Sequence, residues 1–212
     1  MRINIAILPI TPGAAYVFKF AGTPLRITSS SPPNLFVDPL QDRDPSDSNT
    51  LYGIQSVSIT FSAAVKDSTS GSATLTANNF QVRCTKNGAD VTDLQTGLTP
   101  SISTVTGTGP YTVHLSRRIC LGAWTEIRVK SNVLDAASGT PIATNDYDNR
   151  VVLGFLPMDV NQDYQVSGDD IIRWVSITSE TFTPPPPFAA PYVEYLDQKR
   201  NGIIAGEDIN SL

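Results

Sequence analysis

Oxygen-bearing side chains recur through one acidic stretch, Asp159-Val160-Asn161-Gln162-Asp163-Tyr164-Gln165-Val166-Ser167-Gly168-Asp169-Asp170. They fall at the first, third, fifth, ninth and twelfth places of a twelve-residue loop, and the seventh place adds the backbone carbonyl of Gln165. A hard divalent cation such as Ca2+ takes about six to eight oxygens at roughly 2.3–2.6 Å, and a loop with this spacing can wrap one. The expected donors are Asp159, Asn161, Asp163, the Gln165 carbonyl, Ser167 (directly or through water) and Asp170. Three carboxylates around a divalent ion leave the site near neutral, whereas without the ion they repel one another. The alternative is an acidic surface turn in which Asp169 or Asp170 sits at the start of the helix predicted for the apolar run Ile171-Ile172-Arg173-Trp174-Val175. Tyr164 occupies the sixth place, where such loops turn sharply, so the backbone there is either left-handed or takes another path.

A second copy runs from Asp197 to Asp208. Asp197, Asn201 and Asp208 keep the first, fifth and twelfth places, Ile203 offers the seventh-place carbonyl, and Gly202 stands at the turn. Lys199 takes the third place, where its ammonium could pair with Asp197 or Asp208 in place of a cation. One Ca2+ is therefore expected in the first loop, and the second loop either takes another or is closed by Lys199. Paired loops of this form, each ending on Asp and leading into apolar residues, resemble a dockerin type I-like duplicated calcium module with EF-hand-like loops. The resemblance spans residues 155–212 and implies a small α-helical, calcium-binding unit, with a cohesin as the family's usual partner.

Upstream, the pattern changes to that of strands. Val57-Ser58-Ile59-Thr60-Phe61, Phe80-Gln81-Val82-Arg83-Cys84, Tyr111-Thr112-Val113-His114-Leu115 and Thr125-Glu126-Ile127-Arg128-Val129 alternate with period two, which turns one face of each inward. Thr106-Gly107-Thr108-Gly109-Pro110 predicts a hairpin turn between strands 101–105 and 111–116. Val151-Val152-Leu153 reads as a closing strand, and short strands at such intervals predict an antiparallel sandwich over residues 24–154. Ser58-Ile59-Thr60-Phe61-Ser62-Ala63-Ala64-Val65 and Thr76-Ala77-Asn78-Asn79-Phe80-Gln81-Val82 resemble bacterial Ig-like domains of surface proteins. That resemblance implies a spacer or adhesive module without catalysis. The fold class expected is thus mainly β, an Ig-like sandwich followed by the calcium module, joined by Gly154-Phe155-Leu156-Pro157, which is too short and apolar for a loose tether.

Residues 1–23 precede the sandwich. Ile3, Ile5 and Ile7 share one face of a strand and Ala6 and Leu8 the other, so both faces ask for burial. The strand either opens the chain's own sheet or completes that of a neighbouring copy, since strand addition uses main-chain hydrogen bonds and head-to-tail repetition builds a fibre. No apolar run is long enough to span a bilayer. The stretch after Arg2 is too short for an ordinary signal peptide, so a leader has been removed or the chain is part of a longer one.

Charge and cysteine content narrow the function classes. The net charge is −5, with nine acids and three bases in residues 157–212 against eleven acids and twelve bases before them, which leaves no basic nucleic-acid surface. Cys84 and Cys120 are the two cysteines; they pair in an oxidising compartment or remain as buried thiols. His114, the single histidine, faces outward by alternation, so neither a Ser-His-Asp triad nor a His-based zinc site can be assembled. The acidic groups Asp38, Asp42, Asp44 and Asp47, and Asp135, Asp146 and Asp148, sit among turn residues and read first as turns. Trp124 is expected outward beside Glu126 and Arg128, free to stack on a sugar or meet another subunit, and Pro184 to Pro187 predict a stiff extended connector. The sequence therefore points to a non-enzymatic extracellular or cell-surface protein, self-assembling into a fibre or surface layer. Cohesin docking and carbohydrate binding are the alternatives.

Overall fold

The computed structural model describes residues 23–40, 51–145, 147–159 and 164–172. The N-terminal strand with Ile3, Ile5 and Ile7, the loop with Asp42, Asp44 and Asp47, Asp146, Asn161, Asp163, Trp174, the proline run and the whole second loop (Asp197, Asn201, Ile203, Asp208) lie outside the described residues. In chain order the strands are β1 (Ile27–Ser31), β2 (Val37–Asp38), β3 (Ser56–Phe61), β4 (Val65–Asp67), β5 (Phe80–Lys86), β6 (Ala89–Val91), β7 (Ile102–Thr106), β8 (Tyr111–Leu115), β9 (Trp124–Val129), β10 (Val133–Asp135) and β11 (Arg150–Phe155).

These strands form two main sheets. One has the order β1-β3-β8-β7 and the other β2-β11-β9-β5-β6, while β4 and β10 pair separately. All pairings are antiparallel except β2 with β11, which run the same way. The chain therefore crosses from one sheet at β1 to the other at β2. The crossing is registered by backbone bonds: Leu35 N–H to the Val152 carbonyl (2.7 Å), Gly154 N–H to that of Phe36 (2.8 Å) and Leu156 N–H to that of Asp38 (3.1 Å). The Asn34 side-chain oxygen also accepts the Val152 N–H at 2.8 Å.

Alternation decides which faces meet. Val57 and Ile59 from β3, Tyr111, Val113 and Leu115 from β8, Ile127 and Val129 from β9, and Val151, Leu153 and Phe155 from β11 are buried in one core cluster. Replacing one such aliphatic side chain by Ala costs about 2–5 kcal/mol, a large share of a domain's typical stability of about 5–15 kcal/mol. Thr112 and His114 point the other way and are half-buried, with His114 Nε2 3.3 Å from Thr106 Oγ1 across the β7–β8 hairpin. Between β5 and β6, Lys86 pairs with Ala89, leaving a two-residue turn in which Asn87 and Gly88 have φ of 51° and 79°. Two successive positive φ values match the strand twist, which is why Asn-Gly suits this tight hairpin.

Two further fastenings hold the segment that leads from β8 to β9. Cys84 of β5 and Cys120 are joined in a disulfide, and Thr125 Oγ1 accepts the Cys120 N–H at 2.8 Å. Arg118 and Asp93 are both buried, with side chains 3% exposed and 3.5 Å apart. Asp93 also accepts the N–H groups of Thr96 and Leu121 at 2.7 Å each, and Arg118 donates to the Gln95 side-chain oxygen at 2.6 Å and the Tyr52 carbonyl at 3.1 Å. These hydrogen bonds offset part of the cost of burying the two charges.

Candidate cation loop

The first acidic loop begins where β11 ends, and the sandwich dictates its starting point. Beyond the Leu156–Asp38 bond, Met158 N–H reaches the Pro39 carbonyl at 2.6 Å, so the exit strand stays laid against residues 38–39. This brings Asp159, the first loop place, into full burial at 0% exposure. Asp159 Oδ2 accepts the backbone N–H of Tyr164 at 3.0 Å, tying the first place to the sixth. Tyr164 has φ +70°, so the left-handed alternative is the one adopted, by a residue whose Cβ makes it costly.

The distal end of the loop closes on itself. Residues 168–172 are helical. Ser167 Oγ accepts the Asp169 N–H at 3.2 Å while Asp170 Oδ2 accepts the Ser167 N–H at 2.8 Å, the reciprocal pattern of a capping box. Asp170, the twelfth place, is 2% exposed although Gln165, Ser167 and Asp169 around it are exposed. The capping expected of an acidic turn is therefore present. Asp170 at the twelfth place is buried, as Asp159 is at the first.

The residues fit a Ca2+ loop in three respects: two buried carboxylates at the first and twelfth places, a positive-φ residue at the sixth, and oxygen donors at the intervening places. Asn161 and Asp163 are outside the described residues, and among the described residues no three acidic, His or Cys side chains gather.

Tyr164 rests on the outer face of the second sheet. The Tyr164 ring meets Trp124 edge to face, with centroids 5.3 Å apart and planes at 62°. Trp124 in turn lies over Gly154, where an added Cβ would come within 3.1 Å of the indole and 2.9 Å of Val37 Cγ2. Trp124, Tyr164, Val37, Gly154, Leu156 and the Lys86–Asn87 turn line a cleft of about 290 Å³. Trp124 thus does point away from the core, as alternation predicts, but it is half-buried instead of standing free. Its neighbour Glu126 departs further from the expectation of an open face, at 6% exposure. Glu126 is covered by two guanidinium groups, accepting from Arg128 Nε at 2.8 Å and from Arg150 at 3.0 Å. Burial pushes the Glu126 carboxyl up, but these two arginines outweigh it and hold its pKa below the ordinary value.

Of the other acidic groups expected in turns, Asp38 and Asp135 are instead the last residues of β2 and β10, where their side chains accept N–H groups of the segments that follow, and Asp148 lies in a turn. Asp38 is buried and its side chain accepts the Leu40 N–H at 3.1 Å. Asp135 accepts the N–H groups of Ser138 and Ala137 at 2.7 and 2.8 Å, and the Ser138 bond leads in lowering its pKa. Asp148 supplies its carbonyl to Ile27 N–H. The buried pair Asp93 and Arg118 and the covered Glu126 carried no signal in the sequence, because period-two alternation does not report which long side chains will fold over a neighbour.

No protein-family model and no curated protein sequence matches this chain. Among solved structures, the S-layer protein rSbsC(31-844) superposes with a TM-score of 0.37 at 13% identity, over 63% of this chain and 14% of that one. The N-terminal part of the bacterial S-layer protein SbsC gives a TM-score of 0.36 at 13% identity, over 63% of this chain and 24% of its own. The chain thus spans well under a third of either neighbour, and the likeness is too slight to carry over a fold or a role.

Proposed function

We propose that this protein is a non-enzymatic, extracellular structural subunit in which an Ig-like sandwich is stiffened at its C-terminal side by a Ca2+ loop. The Ig-like reading is supported by the strand order, in which a four-stranded sheet faces one whose first short strand lies parallel to its last long one. The disulfide is consistent with an oxidising compartment. The single observation that carries the calcium reading is the pairing of the buried Asp159 carboxylate with the N–H of a left-handed Tyr164 at the sixth place of the loop. A bound Ca2+ would offset the repulsion among the acidic side chains that the sequence puts at the first, fifth and twelfth places, so metal affinity would form part of the loop's folding free energy.

Self-assembly remains the role proposed for the strand with Ile3, Ile5 and Ile7, with other copies of the chain as partners at a cell surface. The test is calorimetric Ca2+ titration of the full chain together with light scattering, with and without chelator, on the protein and on a variant lacking residues 1–10. Binding of one or two Ca2+ and loss of assembly in the deletion variant are expected. A chain that gives no heat with Ca2+ would overturn the calcium reading, and a deletion variant that assembles normally would overturn the assigned contact.

The aromatic cleft favours carbohydrate binding as a second reading, since indole faces stack on sugars. It predicts glycan-array signal that is lost in Trp124→Ala.

A further inference from the structure

The cleft beside Trp124 joins an apolar floor to a polar rim. Its floor is formed by Val37, Leu156 and the backbone at Gly154, over which the indole lies so close that an added Cβ would come within 3.1 Å of it. The rings of Trp124 and Tyr164 meet with their planes at 62° and make an aromatic corner, of which Tyr164 is 52% exposed. The tight turn after β5 sets Lys86 and Asn87 at the rim, both exposed. Lys86 is the single charged side chain among the lining residues. Within the described residues, neither its ammonium nor the Asn87 amide has a hydrogen-bond or ion-pair partner.

We propose that this cleft binds a uronic acid residue of an acidic polysaccharide. The pyranose ring packs its C–H face into the Trp124–Tyr164 corner, the Asn87 amide pairs with its hydroxyls, and the Lys86 ammonium donates to its carboxylate. This assignment rests on the carbohydrate reading above. An aromatic corner suits a ring that is apolar on its face and polar at its edge. A primary amide donates and accepts at once, as neighbouring hydroxyls require. A lone ammonium matches one carboxylate, whereas a bare phosphate asks for several donors and an acidic peptide for several cations. The cleft's volume of about 290 Å³ is at the small end of ligand pockets, enough to grip about one sugar residue of a chain.

The experiment is calorimetric titration of the full chain with tetramers of galacturonate, mannuronate and glucuronate, each as the free acid and as its neutral methyl ester. Pentaglutamate serves as the carboxylate probe without a sugar. The proteins are the wild type, Lys86→Gln and Tyr164→Leu, both variants changing exposed side chains and so keeping the sandwich intact. At least one acid tetramer is expected to bind, and its ester about two- to five-fold more weakly, the affinity equivalent of an exposed ion pair. Lys86→Gln should lose that same factor for the acid and nothing for the ester, while Tyr164→Leu should weaken both alike. Esters or neutral glycans that bind as tightly as the acids, or an unchanged acid affinity in Lys86→Gln, would overturn the uronate assignment and leave the carbohydrate reading standing. Pentaglutamate binding as tightly as the acids would show that charge alone is recognised and would overturn the sugar's part. Absence of heat with every tetramer, together with a blank glycan array, would overturn both.

Discussion

Removing the Cys84–Cys120 bridge should cost the sandwich a defined amount. The two residues are 36 positions apart, and opening a loop of that length returns conformational entropy to the unfolded chain worth about 4 kcal/mol at 25 °C. Both sulfurs are buried, Cys84 at 1% and Cys120 at 0% exposure, so truncation to Ala also leaves a small void and pushes the figure upward. The Cys120 N–H keeps its partner in Thr125 Oγ1, so no buried donor is orphaned. Against a total of about 5–15 kcal/mol, the Cys84→Ala/Cys120→Ala variant should remain folded but be markedly weaker. The assay is urea unfolding followed by tryptophan emission at neutral pH, with and without reductant. At a slope of about 2 kcal/mol/M, the midpoint should fall by about 2 M; reductant should lower the wild type to a similar value and leave the variant unmoved. A loss below about 1 kcal/mol would show that the bridge constrains little of the unfolded chain and would refute the loop-entropy reasoning.

Two further changes probe the fastenings around the site. Asp93→Asn leaves the Arg118 guanidinium buried beside a neutral amide and should cost about 3–5 kcal/mol in the same unfolding assay; a loss within about 0.5 kcal/mol would mean that the pair is dispensable. Burial pushes the Asp93 carboxyl up, but the N–H groups of Leu121 and Thr96, with Arg118, outweigh it and hold its pKa below the ordinary 3.8. Its contribution is therefore complete above the unfolded value and disappears as the pH falls through the lower folded one, so wild-type stability should drop below about pH 4 and Asp93→Asn should show a shallower acid slope. Gly154→Ala forces a Cβ to within 2.9 Å of Val37 Cγ2 and 3.1 Å of the Trp124 ring. Overpacking should cost about 1–3 kcal/mol and displace the indole, visible as altered near-UV circular dichroism; an unchanged spectrum with unchanged stability would show that the stack yields freely.

Strands with a face in the core were the legible part of this fold. The alternation at Val57–Phe61, Phe80–Cys84, Tyr111–Leu115 and Thr125–Val129 became β3, β5, β8 and β9 because their inward residues meet in one cluster. The Gly-rich turn at 106–110 joins β7 to β8. β1 has no such alternation in Ile27-Thr28-Ser29-Ser30-Ser31, and β2, β4 and β10 are two or three residues long, so their existence depends on partners far away in the chain, as Asp67 depends on Val133. The Asn87–Gly88 turn was readable in principle, yet only the pairing of Lys86 with Ala89 reveals it as a tight hairpin. In the loop, spacing alone singles out Asp159 and Asp170. It could not decide the backbone at Tyr164, because the left-handed turn is accompanied by a ring contact with Trp124, a residue on another strand.

The crossing of the chain from β1 to β2 has a mechanical consequence. Because β2 and β11 point the same way, tension applied ahead of β2 and drawn off beyond Asp159 pulls the two strands lengthwise past each other. The bonds from Leu35 to Val152, Gly154 to Phe36, Leu156 to Asp38 and Met158 to Pro39 then lie across the load and share it. Peeling would rupture them one after another, each worth only about 0.5–1.5 kcal/mol, whereas sliding demands that they fail together. The geometry makes this seam of the sandwich a shear clamp, and the acidic loop begins at its trailing end.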